Sequence, residues 1–220
     1  MSVLRLGLSG SSGRMGKELK ELIDAAEKLT LTGEWSASSG PIENLNSAQV
    51  IIDFSAPEAF KKVLSFCKDQ KIPLVSGTTG LTEKEILSLK DINEIPLLWS
   101  PNMSLGIAYL KRIIKEVLPL KEEGFDFQIL EVHHRFKKDK PSGTAKDLQN
   151  VLQSQQEPLS IRGGGVFGEH TILAMGPEEV LRLEHQALNR RVFARGALKA
   201  AQWIVKQPPG YYTMEHVLGL

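Results

Sequence analysis

The chain has 220 residues, of which 41% are hydrophobic and 24% are charged, as in an ordinary globular protein. The 27 Lys and Arg residues nearly balance the 26 Asp and Glu residues, and a formal charge of +1 argues against a nucleic-acid-binding protein. One cysteine cannot form an internal disulfide, and no apolar stretch is long enough to cross a membrane. Because no signal-peptide pattern precedes the first apolar segment, we expect a cytoplasmic protein with no membrane partner.

Strand and helix patterns alternate over the first half of the chain. An apolar strand is predicted at 3–9, and a glycine turn separates it from a segment with leucines at helical spacing. This alternation predicts an α/β fold with a Rossmann-like, doubly wound parallel sheet, whose ligands bind at the carboxyl ends of the strands. Further strands are predicted at 29–35, 50–54, 74–76 and 97–100, and helices at 57–70 and 83–89.

The pattern changes in the second half, where hydrophobic residues alternate with polar ones. Such alternation predicts strands with one buried face, and hence a second, α+β domain on an open mixed or antiparallel sheet. Either a second copy packed sheet on sheet or a crossing helix would cover the other face of that sheet. Strands are predicted at 125–129, 171–175 and 181–185, and helices at 105–118, 145–152 and 191–207.

Gly10, Gly13 and Gly16 lie between the first predicted strand and the first predicted helix. In that context backbone amides can approach a pyrophosphate, and the last glycine allows the helix to pack closely on the strand. Ser12 occupies the position where the commonest dinucleotide fingerprint has glycine, so a plain turn remains the alternative. Two more polar loops, at 77–80 and 101–106, follow predicted strands and should border the same edge of the sheet, where a nicotinamide would bind.

The end of the second strand bears on the choice of coenzyme. The segment 35–39 contains three serines and no carboxylate that could bind a ribose diol, which favours NADPH or weak discrimination between NADPH and NADH. Glu34 lies too early in this register, and a shift of two residues would reverse the inference.

The segment 131–145 carries two histidines and four Lys or Arg residues. Because like charges repel, this concentration of cations predicts that a small dianion binds there. The residues from Pro141 to Thr144 begin a predicted helix, whose first amides can bind a carboxylate or a phosphate. A histidine beside an anion site suggests proton transfer near neutral pH.

Three other interpretations of this segment are a metal site, a nucleic-acid site and a solvated loop. A metal site is disfavoured because the adjacent His133 and His134 would point to opposite faces of a strand, and no cysteine or third histidine lies near them in sequence. Nucleic-acid binding is disfavoured because Phe136 is the single aromatic residue among the cations. A solvated loop is the remaining alternative.

On these motifs the chain resembles the bacterial 4-hydroxy-tetrahydrodipicolinate reductase family, long called dihydrodipicolinate reductase, over nearly its whole length. The stretch from Glu131 to Ala145 is the most specific part of the resemblance, whereas the glycine turn is not specific. The matching segments are 10–16, 52–55, 77–80, 102–104, 131–145, 168–171 and 193–197.

The resemblance implies NAD(P)H-dependent reduction of 4-hydroxy-tetrahydrodipicolinate to tetrahydrodipicolinate, in lysine and diaminopimelate biosynthesis. It implies that His133 and Lys137 are catalytic and that His134, Gly143 and Thr144 bind a small dicarboxylate substrate. The implied contacts of NADPH or NADH are Gly10, Ser11, Ser12, Gly13, Arg14, Met15, Gly77, Thr78, Thr79, Pro101, Asn102, Met103, Ser104 and Arg190.

The resemblance also implies a domain division and an assembly. Residues 1–105 and 190–220 would form the dinucleotide-binding domain, and 106–189 would form the domain for substrate binding and oligomerisation. The implied assembly is a homotetramer, and no metal is expected.

The chain departs from the family at Phe136, where histidine is common, and is shorter around 36–46 and 157–168. The shorter segments leave two alternatives, a module that senses NADPH without catalysis and a reductase of another small dicarboxylate. For His133 we expect neighbouring cations to lower its basicity and a bound dianion to restore it.

Overall fold

Strands and helices alternate along residues 3–220, which are the residues that the computed structural model describes. They form two units, one of Met1–Met103 with Phe193–Leu220 and one of Ser104–Val192. The first two residues of the predicted dinucleotide-binding domain lie outside the described range.

The strands are β1 (Leu4–Ser9), β2 (Leu29–Trp35), β3 (Val50–Asp53), β4 (Leu74–Ser76), β5 (Pro96–Trp99), β6 (Asp126–His133), β7 (Leu159–Arg162), β8 (Glu169–Met175), β9 (Val180–Gln186) and β10 (Gly210–Tyr212). The α-helices are α1 (Arg14–Asp24), α2 (Pro57–Gln70), α3 (Glu83–Leu89), α4 (Leu105–Val117), α5 (Gly143–Leu152), α6 (Arg191–Ile204) and α7 (Met214–Leu218). Among these described helices, none has the length and hydrophobicity needed to cross a bilayer.

The first unit is built on a six-stranded parallel sheet in the order β10-β5-β4-β3-β1-β2. Every residue of β3, β4 and β5 is buried, as expected of central strands that helices cover on both faces. The predicted Rossmann-like, doubly wound class is therefore confirmed. The chain runs outward in both directions from β1, since β2 and β3 lie on its two sides, and such a switch point is where this type of sheet binds ligands.

The register of the parallel strands brings four strand ends to one edge of this sheet. Ser9 pairs with Asp53, Asp53 with Ser76, and Ser76 with Trp99. The loops that follow β1, β3, β4 and β5 therefore begin side by side, although they are far apart in sequence. The predicted glycine turn, the predicted loop at 77–80 and the first residues of the loop predicted at 101–106 are among them, although α4 already begins at Leu105.

One close backbone approach in this unit depends on a glycine. A Cβ added at Gly196 of α6 would overlap the carbonyl oxygen of Met103. The buried residues of α6 around it include three further small side chains, Ala194, Ala197 and Ala200. Small residues on this face let α6 lie directly against the end of the loop that follows β5.

The second unit contains a four-stranded sheet in the order β7-β6-β8-β9, in which β6 and β7 are parallel and the other pairs are antiparallel. This confirms the predicted α+β character and the mixed sheet. The apolar side chains of α4 and α5 pack with alternate residues of β6 and β8, among them Ile129 and Ile172. The sequence did not predict β7, a strand of four residues.

The other face of this sheet is more exposed. On β6 the buried residues Phe127, Ile129 and Glu131 alternate with partly exposed Gln128 and Leu130. The two edge strands of the sheet, β7 and β9, carry large apolar side chains that are about half exposed: Leu159 (58%), Ile161 (50%) and Val180 (57%).

Candidate active site

The glycine turn after β1 has the geometry of a phosphate-binding turn. Gly10 has φ +77°, and a Cβ added there would overlap the carbonyl oxygen of Phe54. The amide of Gly10 donates to the carbonyl of Trp35 at 3.0 Å. Gly13 is the N-cap of α1, so no cap side chain covers the first amides of this described helix. Amides in that position can bind a pyrophosphate, and the turn therefore fits a dinucleotide.

A buried carboxylate connects three of the strand ends at this edge. Asp53, which is 0% exposed, accepts hydrogen bonds from the hydroxyls of Ser9 at 2.7 Å, Ser76 at 2.8 Å and Thr78 at 2.7 Å. Asp53 is the polar end of an otherwise apolar strand. It was not among the predicted site residues, because its three partners are 44, 23 and 25 residues away in sequence.

Thr78, a predicted coenzyme contact, forms hydrogen bonds within the protein through its hydroxyl, its amide and its carbonyl. Its hydroxyl donates to Asp53 and accepts from the Ser55 amide at 3.1 Å. Its own amide donates to Ser76 Oγ at 3.2 Å, and its carbonyl accepts from the Trp99 indole at 3.0 Å. Gly77 is buried beside it, whereas Thr79 is exposed. The buried network thus fixes the backbone from which Thr79 extends.

The segment after β2 presents a cluster of hydroxyls. Ser36 Oγ lies 2.6 Å from Ser39 Oγ and 3.3 Å from Ser38 Oγ. Glu34 forms an ion pair with Lys20 at 3.0 Å on the surface of the same unit. With a register shifted by two residues, Glu34 would be the carboxylate that binds a ribose. In the structure this carboxylate is already paired with Lys20.

The remaining predicted coenzyme contacts fall in both units. Ser100 Oγ donates to the Asn102 carbonyl at 2.7 Å, and Met103 is buried at the end of that loop. Ser104 and Arg190 belong to the second unit. There Ser104 Oγ is hydrogen-bonded to His185 Nε2 at 3.0 Å, and Arg190 lies over the Phe167 ring, 5.3 Å from its centroid.

His133, the predicted proton donor, is the last residue of β6 and is buried within the second unit. Its Nδ1 donates to Glu131 Oε2, on the same face of the strand. Arg162, the last residue of β7, makes a bidentate ion pair with Glu131: Nη1 donates to Oε2 at 2.8 Å and Nη2 to Oε1 at 2.6 Å. Both side chains of this pair are buried, with 7% exposure for Arg162 and 0% for Glu131.

The electrostatics of this cluster favour a neutral histidine beside an ionised carboxylate. Burial alone would raise the pKa of Glu131, but the hydrogen bonds from Arg162 and His133 outweigh it and hold the pKa at about 2. Burial lowers the pKa of His133, and the cations Lys137 and Arg162 lower it further, against the opposing effect of Glu131. The predicted effect of neighbouring cations is present, and burial is a larger cause that the sequence did not reveal.

A second buried histidine lies beside the first. The His170 ring is edge-on to the His133 ring, with centroids 5.2 Å apart, and its Nε2 is hydrogen-bonded to Ser142 Oγ at 3.2 Å. Burial, followed by the nearby His133, lowers the pKa of His170 to about 3. His170 is therefore a neutral side chain at physiological pH.

The N-terminus of α5 is hydrogen-bonded to the cluster around Glu131 and His170. Ser142 is its N-cap and accepts a hydrogen bond from the Ala145 amide at 3.1 Å, while Gly143 and Thr144 are the first helical residues. The Ser142 amide donates to Glu131 Oε1 at 3.2 Å. The predicted carboxylate-binding turn is therefore tied to the same carboxylate that holds His133.

The cationic loop between β6 and α5 is partly ordered by its own contacts. Lys137 forms an ion pair with Asp139 at 2.8 Å, and its amide donates to the His134 carbonyl at 3.0 Å. His134 Nδ1 is buried and has no hydrogen-bond partner within residues 3–220. Phe136 is 80% exposed. In the same described range, no group of three or more His, Cys, Asp or Glu side chains could hold a metal ion.

A parallel nucleotide-binding sheet with a glycine turn, together with a second unit that holds a buried histidine near cations, defines a class of two-unit NAD(P)H-dependent reductases. Two family models match the chain: "Dihydrodipicolinate reductase, N-terminus" over residues 4–103 and "Dihydrodipicolinate reductase, C-terminus" over residues 106–218. The chain belongs to the dihydrodipicolinate reductase family.

Individual proteins agree with this assignment. The 4-hydroxy-tetrahydrodipicolinate reductase of Bdellovibrio bacteriovorus is 47% identical over 99% of this chain and 97% of its own length. That of Anaplasma marginale is 41% identical over 78% of this chain and 74% of its own length. Among solved structures, dipicolinate-bound dihydrodipicolinate reductase from Paenisporosarcina sp. TG-14 shares the fold, with a TM-score of 0.77 at 19% identity over 96% of this chain and 97% of that chain.

Proposed function

We propose that this protein reduces 4-hydroxy-tetrahydrodipicolinate to tetrahydrodipicolinate with NADPH or NADH, within lysine and diaminopimelate biosynthesis. The observation that carries the proposal is the buried Glu131–His133 pair next to the N-terminus of α5, in a chain 47% identical to a reductase of that name. The reaction removes a hydroxyl group as water and adds a hydride and a proton.

The coenzyme-binding role is assigned to residues 1–105 and 190–220. The glycine turn fits a pyrophosphate, because the first amides of α1 have no cap side chain and a Cβ at Gly10 would collide with the neighbouring loop. The hydroxyls at the end of β2 can donate to a ribose phosphate. When bound, the reduced nicotinamide supplies the hydride. The remaining assigned contacts are those named from the sequence, with Thr78 acting through the backbone that it holds in place.

The substrate-binding role is assigned to residues 106–189. His133 holds and transfers a proton, and Lys137 is a second proton donor close to the anionic substrate. We assign the carboxylates of the substrate to the turn of Gly143 and Thr144 and to His134. The buried Nδ1 of His134 has no hydrogen-bond partner among residues 3–220. Two substrate carboxylates beside this loop offset the repulsion among its cations.

We assign the more exposed face of the second sheet to a homotetramer in the cytoplasm. Leu159 and Ile161 on β7 and Val180 on β9, the two edge strands of this sheet, each expose about half of their surface to solvent. Another copy of the chain could cover them by packing sheet on sheet.

The test follows the absorbance of the nicotinamide coenzyme with freshly prepared 4-hydroxy-tetrahydrodipicolinate, using NADPH and NADH in parallel. We expect oxidation of the coenzyme that depends on the substrate. Coenzyme binding without turnover would indicate a sensor, and turnover with another small dicarboxylate alone would change the substrate. Either result would contradict the proposal.

A further inference from the structure

Glu131 is the centre of a buried hydrogen-bond network in the second unit. Its carboxylate accepts from both terminal nitrogens of Arg162, from His133 Nδ1 and from the Ser142 amide. These donors come from β7, from β6 and from the residue that caps α5. The side chain is 0% exposed, so Glu131 reaches other molecules only through the residues that it holds.

The network determines which nitrogen of His133 can exchange a proton. An ionised carboxylate only accepts hydrogen bonds, so the neutral imidazole carries its hydrogen on Nδ1 and has its lone pair on Nε2. Gly168 leaves space beside that second nitrogen, since a Cβ added there would lie 3.0 Å from Nε2. A residue with a side chain would crowd the atom through which the proton has to move.

Arg162 balances the charge that Glu131 brings to the histidine. A buried carboxylate with no other partner would favour the imidazolium form, whereas the bidentate guanidinium compensates its charge. The charged or titratable groups that bear on His133 are Glu131 on its own strand, Arg162 on β7, His170 on β8 and Lys137 in the loop. Arg162 also donates to the Asp139 carbonyl at 2.7 Å and so fixes the loop that carries Lys137.

We propose that Glu131 and Arg162 are positioning residues for proton transfer at His133, an inference that rests on the proposed reductase function. Glu131 fixes the tautomer with hydrogen on Nδ1, and Arg162 compensates the charge of Glu131, so that the buried imidazole stays neutral until the dianionic substrate binds and Nε2 takes up one proton from solvent. The imidazolium then gives its Nε2 proton to the substrate atom that gains electron density on hydride addition. The Nε2–H bond breaks, the substrate gains that proton together with one hydride from the reduced coenzyme, whose nicotinamide is thereby oxidised, and His133 returns to the neutral Nδ1–H form.

The first test measures the tautomer and needs no turnover. Histidine ring nitrogens of the ¹⁵N-labelled free protein are observed by NMR, and the His133→Gln variant assigns the His133 signals. We expect hydrogen on Nδ1 and none on Nε2 at neutral pH, and protonation of Nε2 on adding pyridine-2,6-dicarboxylate as a dianionic probe. A neutral form with hydrogen on Nε2 would overturn the assignment, whatever the activity of the enzyme.

The second test separates positioning from structural support. In Arg162→Met the pH at which His133 becomes protonated should rise, because the carboxylate loses its compensating cation. The double variant Glu131→Gln with Arg162→Met, the uncharged pair, leaves no unpaired buried charge. In this variant kcat should fall on the order of 10²-fold, while KM for NADPH stays unchanged. Arg112→Met, which removes an exposed ion pair with Glu116, is the matched control and should change neither quantity.

Three outcomes of the second test bear on the proposal. A titration of His133 that is the same in Arg162→Met and wild type would overturn the role of Arg162. Unchanged kcat in the uncharged pair would overturn the role of Glu131. If wild-type enzyme turns over no substrate, the reductase assignment fails, while the tautomer measurement still decides how the network acts on His133.

Discussion

Replacing His170 by glutamine should remove about 2 kcal/mol of the stability that the protein loses between roughly pH 8 and roughly pH 5. His170 is 3% exposed, and burial lowers its pKa from 6.5 to about 3. In the unfolded chain the same side chain accepts a proton near its ordinary pKa. Between the two values the unfolded state therefore binds one more proton than the folded state, and the free energy of unfolding decreases as the pH falls.

The size of the effect follows from the separation of these two pKa values. For a single group of this kind, the free energy of unfolding falls by about 1.4 kcal/mol per pH unit within the window. The decrease amounts to about 2 kcal/mol between roughly pH 8 and roughly pH 5. The loss begins as the pH falls through the unfolded value and continues towards the folded value of about 3. His133 and His185, whose pKa values burial also lowers, contribute in the same direction in both proteins and cancel in the comparison.

The assay is urea unfolding at a series of pH values for wild type and His170→Gln, with His216→Gln as the control. His216 is an exposed histidine whose Nδ1 accepts from the Thr213 amide at 3.0 Å, and glutamine can keep that bond. We expect a shallower pH dependence in His170→Gln and an unchanged one in the control. Parallel curves for wild type and His170→Gln would refute the inference that His170 is buried and neutral.

Three further predictions concern the two units and the assembly. His133→Ala should lower kcat by roughly 10²- to 10⁴-fold with the fold unchanged by circular dichroism, and near-normal turnover would remove His133 from the mechanism. Asp53→Ala should cost about 3 kcal/mol or more in urea unfolding, because three buried hydroxyls lose their acceptor, and Ser9→Ala should cost about 1 kcal/mol because it removes one bond. Equal costs for the two would show that the carboxylate does not connect the strands. Ile161→Glu should dissociate the proposed homotetramer in analytical ultracentrifugation with each unit still folded, and an unchanged mass would place the interface elsewhere.

The elements that the sequence predicted well are those with local signals. The alternation of strands and helices, the glycine turn and the helix predicted at 83–89 all appear in the structure. The two strands that were missed, β7 and β10, have four and three residues, and their pairing with β6 and β5 depends on distant parts of the chain. No local pattern distinguishes such strands from loops.

The same distinction applies to the site residues. The cations and histidines of 131–145 are visible because they are adjacent, but Glu131 has no evident role until Arg162, 31 residues later, is placed beside it. Asp53 likewise ends an apolar strand without any nearby clue to its partners. Both roles come from strand register, which fixes which side chains meet across a sheet and is not encoded in a short segment.

The position of β2 has a consequence for how this enzyme could diversify. It is an edge strand with β1 as its one neighbour, and the serine hydroxyls that follow it lie outside the network around Asp53. Under the proposed coenzyme-binding role of these serines, mutations that change the preference between NADPH and NADH can therefore accumulate there without altering the hydrogen bonds around Asp53. Lineages adapting to different metabolic redox balances could exchange one electron donor for the other while the chemical step stays the same.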